Sequence, residues 1–257
     1  MLNNLYNGFA HYYAAITNDR DFKLQTDCIL NEYEAENPCK TFLELFAGQS
    51  LHSIEVLKDS EIDVWAIDSS KEMKQLALDN GFKVADQFIV GELPEALINI
   101  PVSVKFDCII CLFHGLSNLS KDSVYILLNN VKNRLSGHGR LFIEMHDIRY
   151  IMEYISNPVI RYTLAKAQDG VKLSYAWPSE KITWDAHAFK ALVPVQIVID
   201  NLENTQVENF TSSDYIHSAE DIIFISNLLG YKFKILSDQE GWKRIFDLSV
   251  ILELSLP

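Results

Sequence analysis

The chain has 257 residues, 48% of them hydrophobic, and its 35 acidic and 22 basic residues give a formal net charge of −13. This length suits one α/β domain with a small inserted subdomain. The acidic balance and the lack of any Lys/Arg run argue against nucleic acid and against an anionic membrane as main partners, because phosphate groups are bound by clustered basic side chains.

The cysteine pattern and the N-terminal sequence indicate a cytoplasmic protein. Cys108 and Cys111 form a C-x-x-C motif inside an apolar, strand-like run, and residues three apart on a strand face opposite sides of the sheet. Buried core thiols are therefore favoured over a redox or zinc site, and we expect no metal. The first residues lack the basic and apolar regions of a signal peptide, and no run approaches the ~20 apolar residues of a membrane span.

The first 37 residues have an amphipathic helical pattern that is interrupted near residues 17–21, and Pro38 ends it. We expect residues 1–37 to form a helical cap. The second of its helices would direct five side chains toward a core, namely Phe22, Leu24, Cys28, Ile29 and Leu30.

From residue 38 to 147, strand patterns alternate with helix patterns. Strands are predicted at 41–45, 62–67, 87–91, 105–112 and 140–145, helices at 49–58, 69–80 and 121–134, and a turn at 136–140 (SGHGR). Continuous apolar strands between helices are typical of a parallel sheet covered on both faces. Right-handed crossovers then bring the loop-bearing strand ends to one edge, which predicts a ligand-binding core.

The pattern changes between residues 148 and 215. Segments 171–177, 181–189 and 193–200 are rich in β-branched residues and are separated or interrupted by proline, which predicts an inserted antiparallel sheet on the acceptor side or for oligomerisation. Residues 216–257 then complete the core. A helix begins with a capping-box pattern at Ser218 and stops at Gly230, and a strand pair follows at 231–236 and 247–254.

The segment 41–53 (TFLELFAGQSLHS) places a small-residue turn between a strand and a helix N-terminus, where backbone N–H groups and the helix dipole bind ligands. Asp68 follows Gly48 by twenty residues and ends the next strand, as does the acid that binds ribose hydroxyls. Glu44 would repel a pyrophosphate but can receive an ammonium group. These features favour S-adenosylmethionine over a dinucleotide, and a nucleotide-linked oxidoreductase is a weaker alternative.

These and neighbouring motifs resemble the class I S-adenosylmethionine-dependent methyltransferases, and most of all the small-molecule branch that includes amino-sugar N-methyltransferases. The resemblance rests on ELFAGQSLHS (44–53), AIDSSKEM (66–73), VGEL (90–93), FDCIICLFHGLSNL (106–119) and LSGHGRLFIE (135–144). It implies a doubly wound, Rossmann-like α/β core with a seven-stranded, mostly parallel sheet, an antiparallel C-terminal strand and an extra antiparallel sheet after the fifth strand. It also implies methyl transfer to a nitrogen or oxygen atom of a small molecule.

The resemblance further implies a cofactor site. Tyr13, Glu44, Ala47 and Gly48 would hold the methionine end, Asp68 the ribose, Ser69, Met73, Glu92 and Leu93 the adenine, and Leu112 and Phe113 the sulfonium region, with Phe46 and His52 completing the set. Tyr13 belongs to YYAAITNDRDF (12–22), which is similar to the substrate-capping segment of that branch.

The turn departs from the family pattern E-x-G-x-G-x-G at two positions. Phe46 stands at the first glycine position and Ser50 at the third. A bulky side chain at position 46 would crowd the methionine moiety or require an unfavourable positive φ, whereas Ser50 could cap the helix. The alternative to an enzyme is therefore a catalytically inactive, methyltransferase-like binding or regulatory subunit.

Two histidines follow strand ends on the predicted active edge. His114 and His146 are candidate catalytic bases, since an imidazole titrates near neutral pH, but either could be a hydrogen-bonded structural group. The expected partner is a small-molecule acceptor, and a homodimer is a further expectation. Four residues of the insertion could wall the acceptor pocket or form the insertion's own core, namely Trp177, Trp184, His187 and Tyr215.

Overall fold

The computed structural model describes residues 3–58, 61–166, 171–201 and 204–257. As far as they are described, residues 1–20 and 148–216 form one compact unit, and residues 21–147 and 217–257 form a second, larger one. The predicted cap (1–37) is thus divided between the two units. The cap and the predicted insertion also include residues 1–2, 167–170 and 202–203, which lie outside the described residues.

The secondary structure alternates through the larger unit. Its helices and those of the smaller unit are α1 (Asn3–Tyr6), α2 (Ala10–Ile16), α3 (Phe22–Glu34), α4 (Leu51–Val56), α5 (Lys71–Asp79), α6 (Lys121–Lys132), α7 (Ile148–Ser156), α8 (Ala219–Leu228) and α9 (Glu240–Phe246). The strands are β1 (Thr41–Leu45), β2 (Asp63–Asp68), β3 (Phe88–Val90), β4 (Phe106–Cys111), β5 (Leu135–His146), β6 (Tyr162–Lys166), β7 (Lys172–Ala176), β8 (Thr183–Asp185), β9 (Lys190–Asn201), β10 (Asn204–Tyr215), β11 (Lys232–Ile235) and β12 (Ser249–Ser255). Short 3₁₀ helices lie at Ala85–Gln87, Glu95–Asn99 and Gly115–Asn118.

The larger unit is built on a seven-stranded sheet in the order β3–β2–β1–β4–β5–β12–β11. β12 runs antiparallel to both of its neighbours, and the other six strands are parallel to one another. The predicted fold class is therefore confirmed. The strand order reverses between β1 and β4, which is the switch point where ligands bind in open α/β sheets.

Apolar side chains cover both faces of this sheet. Cys108 packs in the cluster beneath α3, α4, α5 and α9, whereas Cys111 packs in the opposite cluster beneath α6 and α8. The two thiols thus face opposite sides, as predicted. The predicted buried face of α3 is partly wrong, because Leu24 is 43% exposed while the polar Gln25 and Thr26 are buried.

The smaller unit carries an antiparallel sheet in the order β10–β9–β7–β6, with β8 paired to β9. Trp177 and Trp184 pack against the apolar clusters of this unit, so they contribute to its own core. Helix α7 of this unit and helix α9 of the larger one were not predicted. Residues 136–140 were predicted as a turn but lie within β5, where the register against β4 shifts. Every helix in the described ranges is too short or too polar to cross a bilayer.

Candidate active site

Two loops at the switch point contain non-glycine residues in left-handed backbone conformations. Phe46 and Ser50 after β1 have φ of 53° and 58°, and Phe113 and His114 after β4 have φ of 53° and 55°. Such conformations cost about 1–3 kcal/mol per non-glycine residue and cluster at functional sites, where surrounding contacts hold them. Backbone strain and sheet topology therefore identify the same place as the candidate site.

The buried side chain of Glu44 holds the loop after β1 in place through hydrogen bonds. The residue is only 4% exposed, and its Oε2 accepts hydrogen bonds from the hydroxyl of Ser50 at 3.0 Å and from the N–H and hydroxyl of Ser53 at 3.1 and 2.6 Å. Ser50 makes no side-chain cap to α4, contrary to expectation, because its hydroxyl is directed to Glu44. These contacts give Glu44 a supporting role, and its predicted contact with a ligand ammonium stays a prediction.

His52 extends this buried network. Its Nδ1 lies 3.0 Å from Glu44 Oε1 and its Nε2 lies 2.9 Å from Gln25 Oε1. The imidazole thus joins the first turn of α4 to helix α3. Sequence reasoning named His52 as a cofactor residue but missed Gln25 and Ser53, whose partners lie 27 and 9 residues away along the chain.

Asp68 also holds the loop after β1 in place, through a hydrogen bond to its backbone. Its Oδ2 accepts the N–H of Gly48 at 2.8 Å and its Oδ1 accepts the N–H of Ser70 at 2.9 Å. Burial raises the pKa of Asp68, and these backbone hydrogen bonds oppose the rise. Gly48 has φ of 52°, and a β-carbon built on it would meet no atom of the described residues within 4 Å, its two chain neighbours aside. The loop therefore presents an open backbone face next to a carboxylate.

The side chain of Phe46 packs across the switch point onto Gly115. A β-carbon on Gly115 would lie 2.6 Å from Cδ2 and 2.9 Å from Cγ of Phe46. The Phe46 ring thus occupies the space that the missing side chain of Gly115 leaves open. The ring also packs against the apolar cluster beneath α6 and α8.

The remaining predicted cofactor residues lie in differing environments. Phe113 is half-buried and its ring stacks on Phe22 with a centroid distance of 5.8 Å. Ser69 and Glu92 are exposed, whereas Met73, Leu93 and Leu112 are buried. Tyr13 lies in the smaller unit, where its ring contacts Tyr6 edge-on, and its predicted role over the cofactor stays a prediction.

The two candidate bases contact each other. The rings of His114 and His146 stack with centroids 3.7 Å apart and planes 8° from parallel. A small cavity of about 10 Å³ adjoins them and is lined by His114, Leu116, Ser117, Glu144, Met145, His146 and His217. Burial lowers the pKa of His217, whose Nε2 lies 2.9 Å from the carbonyl oxygen of Leu119. Sequence reasoning missed Glu144, although a lone acid in the apolar run RLFIEM was a usable signal.

No protein-family model and no curated protein matches the sequence. Solved structures, in contrast, share its architecture over nearly the whole chain. DesVI from Streptomyces venezuelae superposes with a TM-score of 0.74 at 10% identity, covering 94% of each chain. An S-adenosylmethionine-dependent methyltransferase from Clostridium acetobutylicum has a TM-score of 0.71 at 17% identity, covering 97% of this chain and 98% of that one.

A third structure adds a ligand to the comparison. CalS10, an amino pentose methyltransferase from Micromonospora echinaspora with S-adenosylmethionine bound, has a TM-score of 0.70 at 12% identity, covering 94% of each chain. The chain has the S-adenosylmethionine-dependent methyltransferase fold. At these identities the likeness shows the fold alone. The role of each side chain is therefore inferred from its own contacts in this chain.

Replacing Glu44 by alanine should lower the free energy of unfolding by about 3 kcal/mol, because it leaves buried donors without their acceptor. Urea denaturation measures the change. The exposed acid Glu95 provides a matched control, and Glu95→Ala should change stability by less than about 0.5 kcal/mol. A Glu44→Ala protein of nearly unchanged stability that no longer binds S-adenosylmethionine would instead assign the carboxylate to the ligand.

Replacing Gly115 by alanine should destabilise the fold by about 1–3 kcal/mol, since the new β-carbon overlaps the Phe46 ring. The loss should be much smaller in a Phe46→Gly background, where the ring is gone and the positive φ carries no steric cost. A double-mutant cycle in urea gives the coupling. Gly137→Ala, at an exposed glycine with open space around it, is the control. Additive effects of the two substitutions would exclude the contact.

Proposed function

We propose that the protein transfers a methyl group from S-adenosylmethionine to a nitrogen or oxygen atom of a small molecule. One observation carries the proposal. The open face of Gly48 lies beside the Asp68 carboxylate at the switch point, in a fold that CalS10 combines with bound S-adenosylmethionine.

The residues at this point fit the cofactor at its ribose and at its methionine end. A carboxylate has about four lone-pair sites, and the backbone N–H groups of Gly48, Ser70 and Ser69 use three of those on Asp68. Acceptor capacity for ribose hydroxyls therefore remains. Among the described residues, no atom beyond the chain neighbours lies within 4 Å of a β-carbon built on Gly48, which leaves room for the methionine moiety. The N–H groups of Ala47 and Gly48 themselves donate to the Ile67 carbonyl and to Asp68. Glu44 fits less well as a ligand group, because its carboxylate already binds the first turn of α4.

When bound, the cofactor supplies an electrophilic methyl group. The chain's part is to hold, orient and desolvate the reactants and to take up a proton. In the proposed site, Asp68 would bind the ribose and the backbone of Ala47 and Gly48 would lie against the methionine end. Ser69, Met73, Glu92 and Leu93 would surround the adenine, and Leu112 and Phe113 would lie near the sulfonium. His114 and His146 are proposed to receive the proton of the acceptor.

The acceptor class and the cellular setting belong to the same proposal. The likeness to an amino pentose methyltransferase supports a small, polar acceptor. The net charge of −13 supports acceptors other than nucleic acid. We also propose a cytoplasmic location. A homodimer formed through the smaller unit is supported by the exposed apolar side chains of β6, Tyr162 and Leu164.

Calorimetric titration with S-adenosylmethionine should give saturable binding, and Asp68→Ala should weaken it at least tenfold. The expected loss corresponds to about 1.4 kcal/mol, which is within the range for a hydrogen bond to a charged acceptor. Asp86→Ala removes the same charge from an exposed site of the larger unit and should leave the affinity unchanged. Circular dichroism checks that each variant is folded. The absence of heat at millimolar ligand with folded wild-type protein would refute the proposed function.

A further inference from the structure

The structure contains a buried carboxylate with no role in the cofactor site. Glu144, near the end of β5, has 0% exposure. Its Oε2 accepts the N–H of Phe113 at 2.8 Å, and its Oε1 accepts the hydroxyl hydrogen of Ser249 at 2.8 Å. Phe113 is one of the strained residues after β4. Glu144 therefore fixes the backbone that leads directly into His114.

Ser249 links this carboxylate to the His114 ring. The Nε2 atom of His114 lies 3.2 Å from Ser249 Oγ and 3.7 Å from Glu144 Oε1. A serine hydroxyl has one hydrogen, and here it is donated to Glu144. Ser249 Oγ can then only accept from His114, so Nε2 carries a hydrogen. In the neutral ring the lone pair is consequently on Nδ1, since the bond made by one ring nitrogen decides the state of the other.

The stacking of the His146 ring on His114 limits the positive charge that the two rings can carry together. Two imidazolium rings with centroids 3.7 Å apart would repel each other strongly. Among the titratable side chains that line the adjoining cavity, Glu144 and His217 lie beside the pair, and Cys111 lies near Glu144. Burial lowers the pKa of His217 and raises that of Cys111, which favours the neutral form of both. Glu144 Oε1 lies 3.7 Å from His114 Nε2, so this carboxylate stabilises a positive charge on the pair, and repulsion between the stacked rings limits that charge to one.

We propose that Glu144 and Ser249 are positioning residues that fix the tautomer of His114, and that the stacked His114 and His146 rings together carry at most one positive charge. The pair then always keeps a neutral ring near neutral pH. This inference rests on the proposed function, because that neutral ring serves as the acceptor for the substrate's proton.

The acceptor X–H, with X nitrogen or oxygen, gives an electron pair to the methyl carbon, and the new X–C bond replaces the C–S bond, whose electrons stay on sulfur. The X–H bond breaks, and its proton moves to the neutral ring nitrogen. Because His114 Nε2 already holds a hydrogen directed at Ser249, the proton enters the pair at another nitrogen and leaves the link to Glu144 intact.

Nitrogen NMR of ¹⁵N-histidine-labelled protein without cofactor tests this arrangement. Ring ¹⁵N shifts distinguish the two neutral tautomers from the doubly protonated ring, and His114→Gln and His146→Gln variants assign the signals. Wild-type His114 should be the Nε2–H tautomer, and the two rings should titrate in two steps more than about one pH unit apart. In His146→Gln protein the remaining ring should titrate in a single step.

Ser249→Ala should replace the single His114 tautomer by a mixture, because the hydrogen-bond chain to Glu144 is broken. Ser249 is half-buried, so this variant is preferred to Glu144→Gln, which alters a fully buried group. Ser117→Ala changes a serine that lines the same cavity outside the chain of hydrogen bonds, and it should leave the tautomer unchanged.

A wild-type Nδ1–H tautomer, one shared titration midpoint, or a Ser249→Ala spectrum identical to that of wild type would each overturn the proposal. Calorimetry separates this result from the proposed function. If the protein binds S-adenosylmethionine but lacks the predicted tautomer and two-step titration, the positioning role of Glu144 and Ser249 is rejected and the proposed function stands. If the tautomer and the two-step titration are observed but S-adenosylmethionine does not bind, the positioning role stands and methyl transfer is rejected.

Discussion

The buried carboxylate of Glu44 is the contact on which the candidate site depends. It gathers a hydroxyl, a backbone N–H and an imidazole from the first turn of α4 onto the end of β1. A charged group away from water is tolerated only when hydrogen bonds satisfy it, so the turn and the helix must keep these positions. That constraint also holds Ser50 at φ of 58°, a conformation the residue would not adopt unaided.

The loop after β4 follows the same principle with a different acid. Glu144 accepts the N–H of Phe113 from the neighbouring strand, much as Glu44 accepts that of Ser53. Each strained loop at the switch point is thus tied to one buried glutamate. Two rigid loops on adjacent strand ends provide a pre-organised surface for a ligand, and the strain is offset by contacts within the same sheet.

The sheet was predictable because apolar runs and turn signals are local, and the family-like motifs placed its strands within a few residues. Helix α9 was missed because it is a seven-residue element between two strand-like runs. Leu24 was misassigned because the buried network on α3 is polar, centred on Gln25. The partners of Glu144 escaped prediction since Phe113 and Ser249 lie 31 and 105 residues away, a separation at which one sequence carries no pairing signal.

The substitution of Phe46 for a glycine looked unfavourable from the turn alone because the cost of a positive φ is local. The compensating feature is not local, since Gly115 lies on the next loop and leaves the volume that the ring fills. Among the described residues the position in front of Gly48 is open, so a turn with one glycine can still leave room for a ligand against its backbone.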